Sequence, residues 1–147
     1  MDHTQLAAEL FESGYNCAQS VAAAFSDVTG MSPELSAKAV SGFGGGMGRM
    51  REVCGAVSGM FFVLSYLYGY DKPDPEAQKN LYATVQQLAE KFREQAGSII
   101  CRDLLNNPPS DPTPTPRTAS FYAKRPCTFM VVLAARLLDD YILEHPL

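Results

Sequence analysis

Between residues 56 and 70 the chain is apolar on almost every side of a helix. Val57, Phe61, Leu64 and Tyr68 fall on one face, and the neighbouring positions are apolar as well. A helix with so little polar surface has to be surrounded by other elements of the fold. Serine and glycine interrupt the segment, and it is shorter than the roughly 20 residues that cross a bilayer. It therefore predicts the buried central helix of a soluble bundle.

This central helix is expected to begin near Glu52 and to end before Gly69. Apolar residues recur every three or four positions elsewhere too, and the sequence lacks the alternation that is typical of strands. Asn16, Ser32 and Asp74 stand at positions where helix-capping residues are preferred. The sequence predicts an all-α, single-domain helical bundle in which two further helices pack against the central helix, one that begins at Asp74 and Pro75 and the last one, which begins near Pro126.

One proline-rich segment interrupts the helical pattern. Residues 106–118 contain five prolines and show no apolar periodicity. Proline disrupts both helix interiors and sheet interiors, because it lacks a backbone N–H. The segment is therefore expected to be a mobile or extended surface linker within one domain that spans residues 1–147.

Charge and composition exclude several classes of partner. The formal net charge is −4 at pH 7, and no basic run is long enough to follow a phosphate backbone. Nucleic acid is therefore not an expected partner. The first residues lack the basic start and apolar run of a signal peptide, and no segment suits membrane insertion. We expect a cytoplasmic location, in which permanent disulfides are rare.

The cysteines are widely spaced, and no two of them form a Cys-x-x-Cys motif. All four are expected in or near the first turn of a helix, where unpaired N–H groups and the helix dipole stabilise a thiolate. Basic residues precede or follow three of them. The candidate catalytic residues are Cys17, Cys54, Cys101 and Cys127. The alternative is that these small side chains are merely packed in the core.

A glycine-rich loop precedes one of these cysteines. Its N–H groups could form a nest that binds an anion, supported by two arginines, or the loop could simply be a tight turn between closely packed helices. Glycines would also let a substrate, a metal or another cysteine approach Cys54. The candidate ligand-binding residues are Gly44, Gly45, Gly46, Gly48, Arg49 and Arg51.

Three functional hypotheses follow from these features. The first is thiol–disulfide redox chemistry without a cofactor, with Cys54 as the favoured nucleophile and another cysteine to resolve it, acting on a redox partner protein or a small-molecule substrate. We expect the two nearby arginines and the helix N-terminus to lower the pKa of Cys54. The second is a zinc or iron–sulfur protein in which the four cysteines are ligands. The third is a small-molecule or oxyanion-binding module in which the cysteines are structural.

Five short motifs together resemble a known family, the redox-active proteins called the C-GCAxxG-C-C family. They are YNCAQ at 15–19, SGFGGGMG at 41–48, CGAVSG at 54–59, CRDL at 101–104, and Cys127. The resemblance covers roughly residues 10–135. It implies redox activity that depends on the four cysteines. The proline-rich stretch before the last cysteine departs from the family pattern.

Overall fold

The computed structural model describes residues 2–147, and within that range the fold is built from ten helices with no extended strand. This arrangement confirms the predicted all-α class. The helices are α1 His3–Glu12, α2 Cys17–Ala24, α3 Ser26–Thr29, α4 Pro33–Ala39, α5 Gly44–Met47, α6 Gly55–Tyr68, α7 Pro75–Ala96, α8 Cys101–Leu104, α9 Ala119–Lys124 and α10 Cys127–Glu144.

The apolar helix α6 lies at the centre, as the sequence predicts. It contacts α2 most extensively, and it also packs against α10 and α7. Val57, Met60, Val63 and Leu64 have no exposed surface. The predicted start near Glu52 is wrong by three residues, because the chain before α6 forms an extended bridge with another segment.

Two glycines on α6 explain how α2 approaches so closely. A Cβ atom added at Gly59 would lie 2.7 Å from the carbonyl oxygen of Ala18, and one at Gly55 would lie 3.1 Å from the Cβ of Cys17. No larger residue fits without moving one of the helices. The close approach places the first turn of α2 directly beside the first turn of α6.

The predicted capping residues begin their helices as expected. Asn16 accepts a hydrogen bond from the backbone N–H of Gln19, whose side chain in turn accepts one from the Asn16 N–H. This reciprocal pair fixes the start of α2. Ser32 and Asp74 cap α4 and α7 with a side-chain oxygen that accepts from backbone N–H groups of the first turn, and each is followed by proline at the first helical position.

Residues 106–118 form neither helix nor strand, and most of their side chains are exposed. No helix among the described residues is long and apolar enough to cross a membrane. The cytoplasmic location stays a prediction.

His3 joins the N-terminal helix to two other elements. Its Nδ1 lies 2.6 Å from an oxygen of Asp139 on α10, and its Nε2 lies 2.9 Å from an oxygen of Asp27 on α3. The ring also stacks on Phe25, with the ring centres 4.1 Å apart. Burial lowers the pKa of His3, but hydrogen bonds to the two carboxylates outweigh it and raise the pKa above 6.5.

We therefore expect His3 to stabilise the fold more in mild acid than in base. A folded-state pKa above the unfolded value contributes stability that is fully present below pH 6.5 and is lost as pH rises through the folded pKa. The melting temperature of His3→Gln, compared with that of the natural protein, should differ most near pH 6 and least near pH 9. His145→Gln is the control. The contacts described for this ring are to the ring and the carbonyl of Tyr141 and not to a carboxylate. A difference that grows with pH would contradict the assignment.

Candidate functional site

All four cysteines line one cavity of about 460 Å³. Cys17, Cys101 and Cys127 are the first residues of α2, α8 and α10, and Cys54 immediately precedes α6. The predicted placement at helix starts is therefore confirmed for every cysteine. All four are free thiols. Thus positions far apart in the sequence become neighbours around one space.

A short extended bridge holds two of these cysteines together. Val53 and Ile100 pair as an antiparallel bridge. The N–H of Cys54 donates to the carbonyl of Ile99 at 2.8 Å, and the N–H of Cys101 donates to the carbonyl of Glu52 at 2.6 Å. These bonds fix the entry into α6 against the entry into α8. Sequence analysis missed the bridge because each partner segment is only a few residues long.

The glycine-rich loop contains an unusual left-handed turn. The φ angle is positive at five consecutive residues: 66° at Gly45, 75° at Gly46, 67° at Met47, 60° at Gly48 and 69° at Arg49. Each residue with a side chain is strained in this region by roughly 1–2 kcal/mol, whereas glycine adopts it freely. The loop conformation therefore depends on its glycines.

One glycine also gives a cysteine room. A Cβ atom added at Gly46 would lie 2.6 Å from the Cβ of Cys101 and 2.8 Å from the Cα of Arg51. This contact shows the close approach that the sequence suggested, although it is made to Cys101 and not to Cys54. The candidate ligand-binding glycines Gly44, Gly45, Gly46 and Gly48 all line the cavity.

The expectation of a lowered pKa at Cys54 is wrong. Burial of this side chain, which is only 6% exposed, raises its pKa to about 12. The backbone N–H groups of Val57 and Ala56 act in the predicted direction and lower this pKa. Desolvation outweighs them, because a thiolate loses its water in an apolar setting.

The two arginines that the sequence assigned to Cys54 have other partners. Arg49 donates to the carbonyl of Asp111 and, at 2.8 Å, to the hydroxyl of Thr115. Arg51 donates to the carbonyl of Pro109 at 2.9 Å and approaches the sulfur of Cys101 at 3.6 Å. Both guanidinium groups thereby tie the proline-rich segment to the cavity. Burial still raises the pKa of Cys101, although Arg51 acts to lower it.

Cys17 and Cys127 line the same cavity and shift each other's pKa in opposite directions. Interaction with the Cys17 thiol lowers the pKa of Cys127, and Arg125, Arg117 and Arg51 add to this effect, so that together they outweigh burial. Interaction with Cys127, together with burial, raises the pKa of Cys17 well above its ordinary value. Cys127 is therefore the thiol of the two that ionises more readily.

Arg117 is a cavity residue that sequence analysis did not identify. It donates to the carbonyls of Phe11 and Tyr15 at 2.9 Å each, and its guanidinium lies 4.4 Å from the centre of the Phe11 ring. These contacts fasten the end of the proline-rich segment to α1. No periodic signal marks the residue, since it follows five prolines in a segment without regular structure.

The described residues include no group of three or more Cys, His, Asp or Glu side chains arranged to hold a metal ion. The four sulfurs surround the cavity without converging on one point in the way that a zinc or iron–sulfur site requires. The zinc and iron–sulfur hypothesis finds no ligand set in this conformation.

Helical packing that gathers four free thiols around one arginine-lined cavity defines a class of cysteine-based helical proteins. Within that class, the chain belongs to the C-GCAxxG-C-C family. The family profile described as "Putative redox-active protein (C_GCAxxG_C_C)" matches residues 15–141 and confirms the resemblance seen in the motifs. No curated protein and no solved structure matches the chain.

Proposed function

We propose that the protein is a dithiol–disulfide oxidoreductase in which Cys127 is the nucleophile and Cys17 is the resolving thiol. The opposite pKa shifts of these two thiols, which both line the same cavity, carry the proposal. A cysteine with a lowered pKa forms the reactive thiolate more readily, and a second thiol at the same cavity can resolve the mixed disulfide.

In the first step the Cys127 thiolate attacks one sulfur of a substrate disulfide. A bond forms between Cys127 and that sulfur, the substrate disulfide bond breaks, and the other half leaves as a thiolate. The thiolate of Cys127 is stabilised by the Cys17 thiol and by three arginines, among which Arg125 has the largest effect. Solvent protonates the departing thiolate.

In the second step Cys17 loses its proton to solvent and attacks the Cys127 sulfur. The mixed disulfide breaks, the second half of the substrate leaves as a thiolate, and a Cys17–Cys127 disulfide remains. Two electrons have passed from the protein to the substrate. Interaction with the Cys127 sulfur is the largest cause of the raised pKa of Cys17, the Cys127 charge adds to it, and both effects disappear once the mixed disulfide forms. Cys17 thus becomes easier to ionise when its attack is required.

Cys54 and Cys101 are expected to stay as neutral thiols during these steps. Burial raises the pKa of each of them. A negative charge on Cys127 raises the pKa of each of them further. The negative charge of the four-thiol group is therefore concentrated on one sulfur.

The pH dependence of alkylation at each cysteine tests this assignment. Reduced protein is treated briefly with iodoacetamide between pH 5 and 10, and each modified cysteine is quantified by mass spectrometry. We expect Cys127 to be modified first and to titrate below an ordinary thiol, which has a pKa of about 8.5. If Cys54 reacts first, the nucleophile assignment fails.

Cys17→Ser tests the resolving role separately. With one equivalent of 2-hydroxyethyl disulfide, this variant should accumulate the mixed disulfide on Cys127, because the proposed resolving thiol is absent. The natural protein should instead yield an internal Cys17–Cys127 disulfide, detected by peptide mapping. Cys101→Ser serves as the matched control and should still form that disulfide. Equal accumulation in both variants would overturn the assignment of Cys17.

A further inference from the structure

Resting on this proposed function, we infer that the substrate is a small disulfide bearing a carboxylate, which Arg51 and Arg125 bind inside the cavity. The charge of the cavity walls points to this class of substrate. Both arginines line the cavity beside the proposed nucleophile, Cys127.

Arg51 is a buried cation without an acidic partner. Only 5% of its surface is exposed. Its two hydrogen bonds reach a backbone carbonyl and the sulfur of Cys101, whose raised pKa keeps that thiol neutral. No ion pair to a carboxylate is formed by Arg51 within the described part of the chain. A guanidinium remains charged when buried, and such a charge is stable only with a compensating anion nearby.

The whole cavity has an excess of positive charge. Four arginines line it and no aspartate or glutamate does. Of these four, Arg49 alone has a carboxylate close by, that of Asp111 at 3.3 Å. Arg51, Arg117 and Arg125 then face only the proposed thiolate of Cys127. An anion that enters the cavity relieves the imbalance, whereas a cation increases it.

Arg125 has its guanidinium available for such an anion. It lies 5.2 Å from the centre of the Phe121 ring, and the described residues provide no hydrogen-bond acceptor for it. Arg117, by contrast, is occupied by two backbone carbonyls. A carboxylate can accept two parallel hydrogen bonds from a guanidinium, which orients it as well as binding it.

The remaining wall suits a short hydrocarbon chain. It is formed by apolar side chains, among them Phe11, Leu104, Leu105, Pro112 and Met130. A cavity of about 460 Å³ accommodates a small organic molecule. The combination of an apolar wall, cationic side chains and one thiolate fits a small disulfide whose ends are carboxylates.

Three disulfides of similar size and different charge test the inference. They are 3,3′-dithiodipropionate, which is anionic, 2-hydroxyethyl disulfide, which is neutral, and cystamine, which is cationic. The rate at which each compound oxidises Cys127 is divided by the rate at which the same compound oxidises dithiothreitol. This ratio removes differences in intrinsic reactivity among the three compounds. We expect the anionic compound to be favoured over the cationic one by about tenfold or more, since charge-assisted hydrogen bonds are the strong ones.

Arg125→Gln should abolish most of this preference, and Arg136→Gln is the matched control. Arg136 carries the same charge on the exposed side of α10 and does not line the cavity. It should leave the preference unchanged. Equal normalised rates for the three compounds, or an equal loss in both variants, would overturn the inference while leaving the dithiol chemistry intact.

Binding of an unreactive dianion provides a readout that does not depend on redox chemistry. Suberate has the length of 3,3′-dithiodipropionate but no disulfide, and 1,6-hexanediamine is the corresponding analogue of cystamine. Calorimetry with reduced protein should detect binding of suberate but not of the diamine. Arg125→Gln should weaken the binding of suberate. If suberate binds but no disulfide oxidises Cys127, the proposed function fails, and the substrate assignment fails with it. If neither analogue binds, the anion site itself is refuted.

Discussion

Replacing Val57 with aspartate is expected to leave little folded protein at room temperature. Val57 has no exposed surface and lies in the central cluster of apolar side chains. A carboxylate buried there without a partner costs several kcal/mol, whether it stays charged or takes up a proton. The free energy of unfolding of a domain is only about 5–15 kcal/mol. Circular dichroism and urea denaturation measure the loss.

Two further variants separate the effect of charge from the effect of volume. Val57→Ala removes the same packing without adding charge, and we expect it to lower the free energy of unfolding by about 2–3 kcal/mol. Tyr66→Asp adds a charge to the same helix at a residue that is 55% exposed, and should change stability by less than about 1 kcal/mol. If Val57→Asp is as mild as Tyr66→Asp, α6 is not the centre of the fold.

Cys127→Ser is expected to slow reduction of 2-hydroxyethyl disulfide at pH 8 by about a hundredfold. A thiol such as Cys54, with a pKa of about 12, is ionised to only about one part in ten thousand at that pH. Its greater intrinsic nucleophilicity recovers about two of these four powers of ten. The other cysteines therefore cannot replace Cys127. The initial rate of thiol loss under excess disulfide is the measurement.

Cys54→Ser distinguishes this assignment from the one that the sequence favoured. Its initial rate should stay within a few fold of that of the natural protein, because Cys127 keeps its charge and its partner Cys17. Should Cys54→Ser lose the greater part of the rate while Cys127→Ser keeps it, the roles of the two residues would have to be exchanged.

The fold could be predicted because its determinants are local. Helix periodicity, the caps at Asn16, Ser32 and Asp74, and the apolar surface of α6 all depend on residues within a few positions of one another. The placement of each cysteine at a helix start was predicted for the same reason. These signals do not require knowledge of which helices become neighbours.

The electrostatics of the site could not be predicted in the same way. Arg51 directly precedes the segment that leads to Cys54, yet its positive φ of 62° directs it to Cys101 and the proline-rich segment. Cys17 and Cys127 are 110 positions apart, and their pairing depends on how α2 and α10 pack against α6. At Cys54, desolvation raises the pKa and the N–H groups of the first helical turn lower it. Which effect is larger depends on how deeply the side chain is buried, and the neighbouring residues in the sequence do not reveal that.

The turn from Gly45 to Arg49 is a segment in which the usual ranking of helix-forming residues is inverted. Its backbone follows the mirror image of an ordinary helix, so alanine, which favours helices elsewhere in the chain, is among the unfavourable choices here. A D-amino acid, introduced by chemical synthesis at Gly48, would match the local handedness, and an L-residue at that position would be strained. The cavity is thus bordered by five consecutive residues at which substitutions follow the rules of the opposite enantiomer.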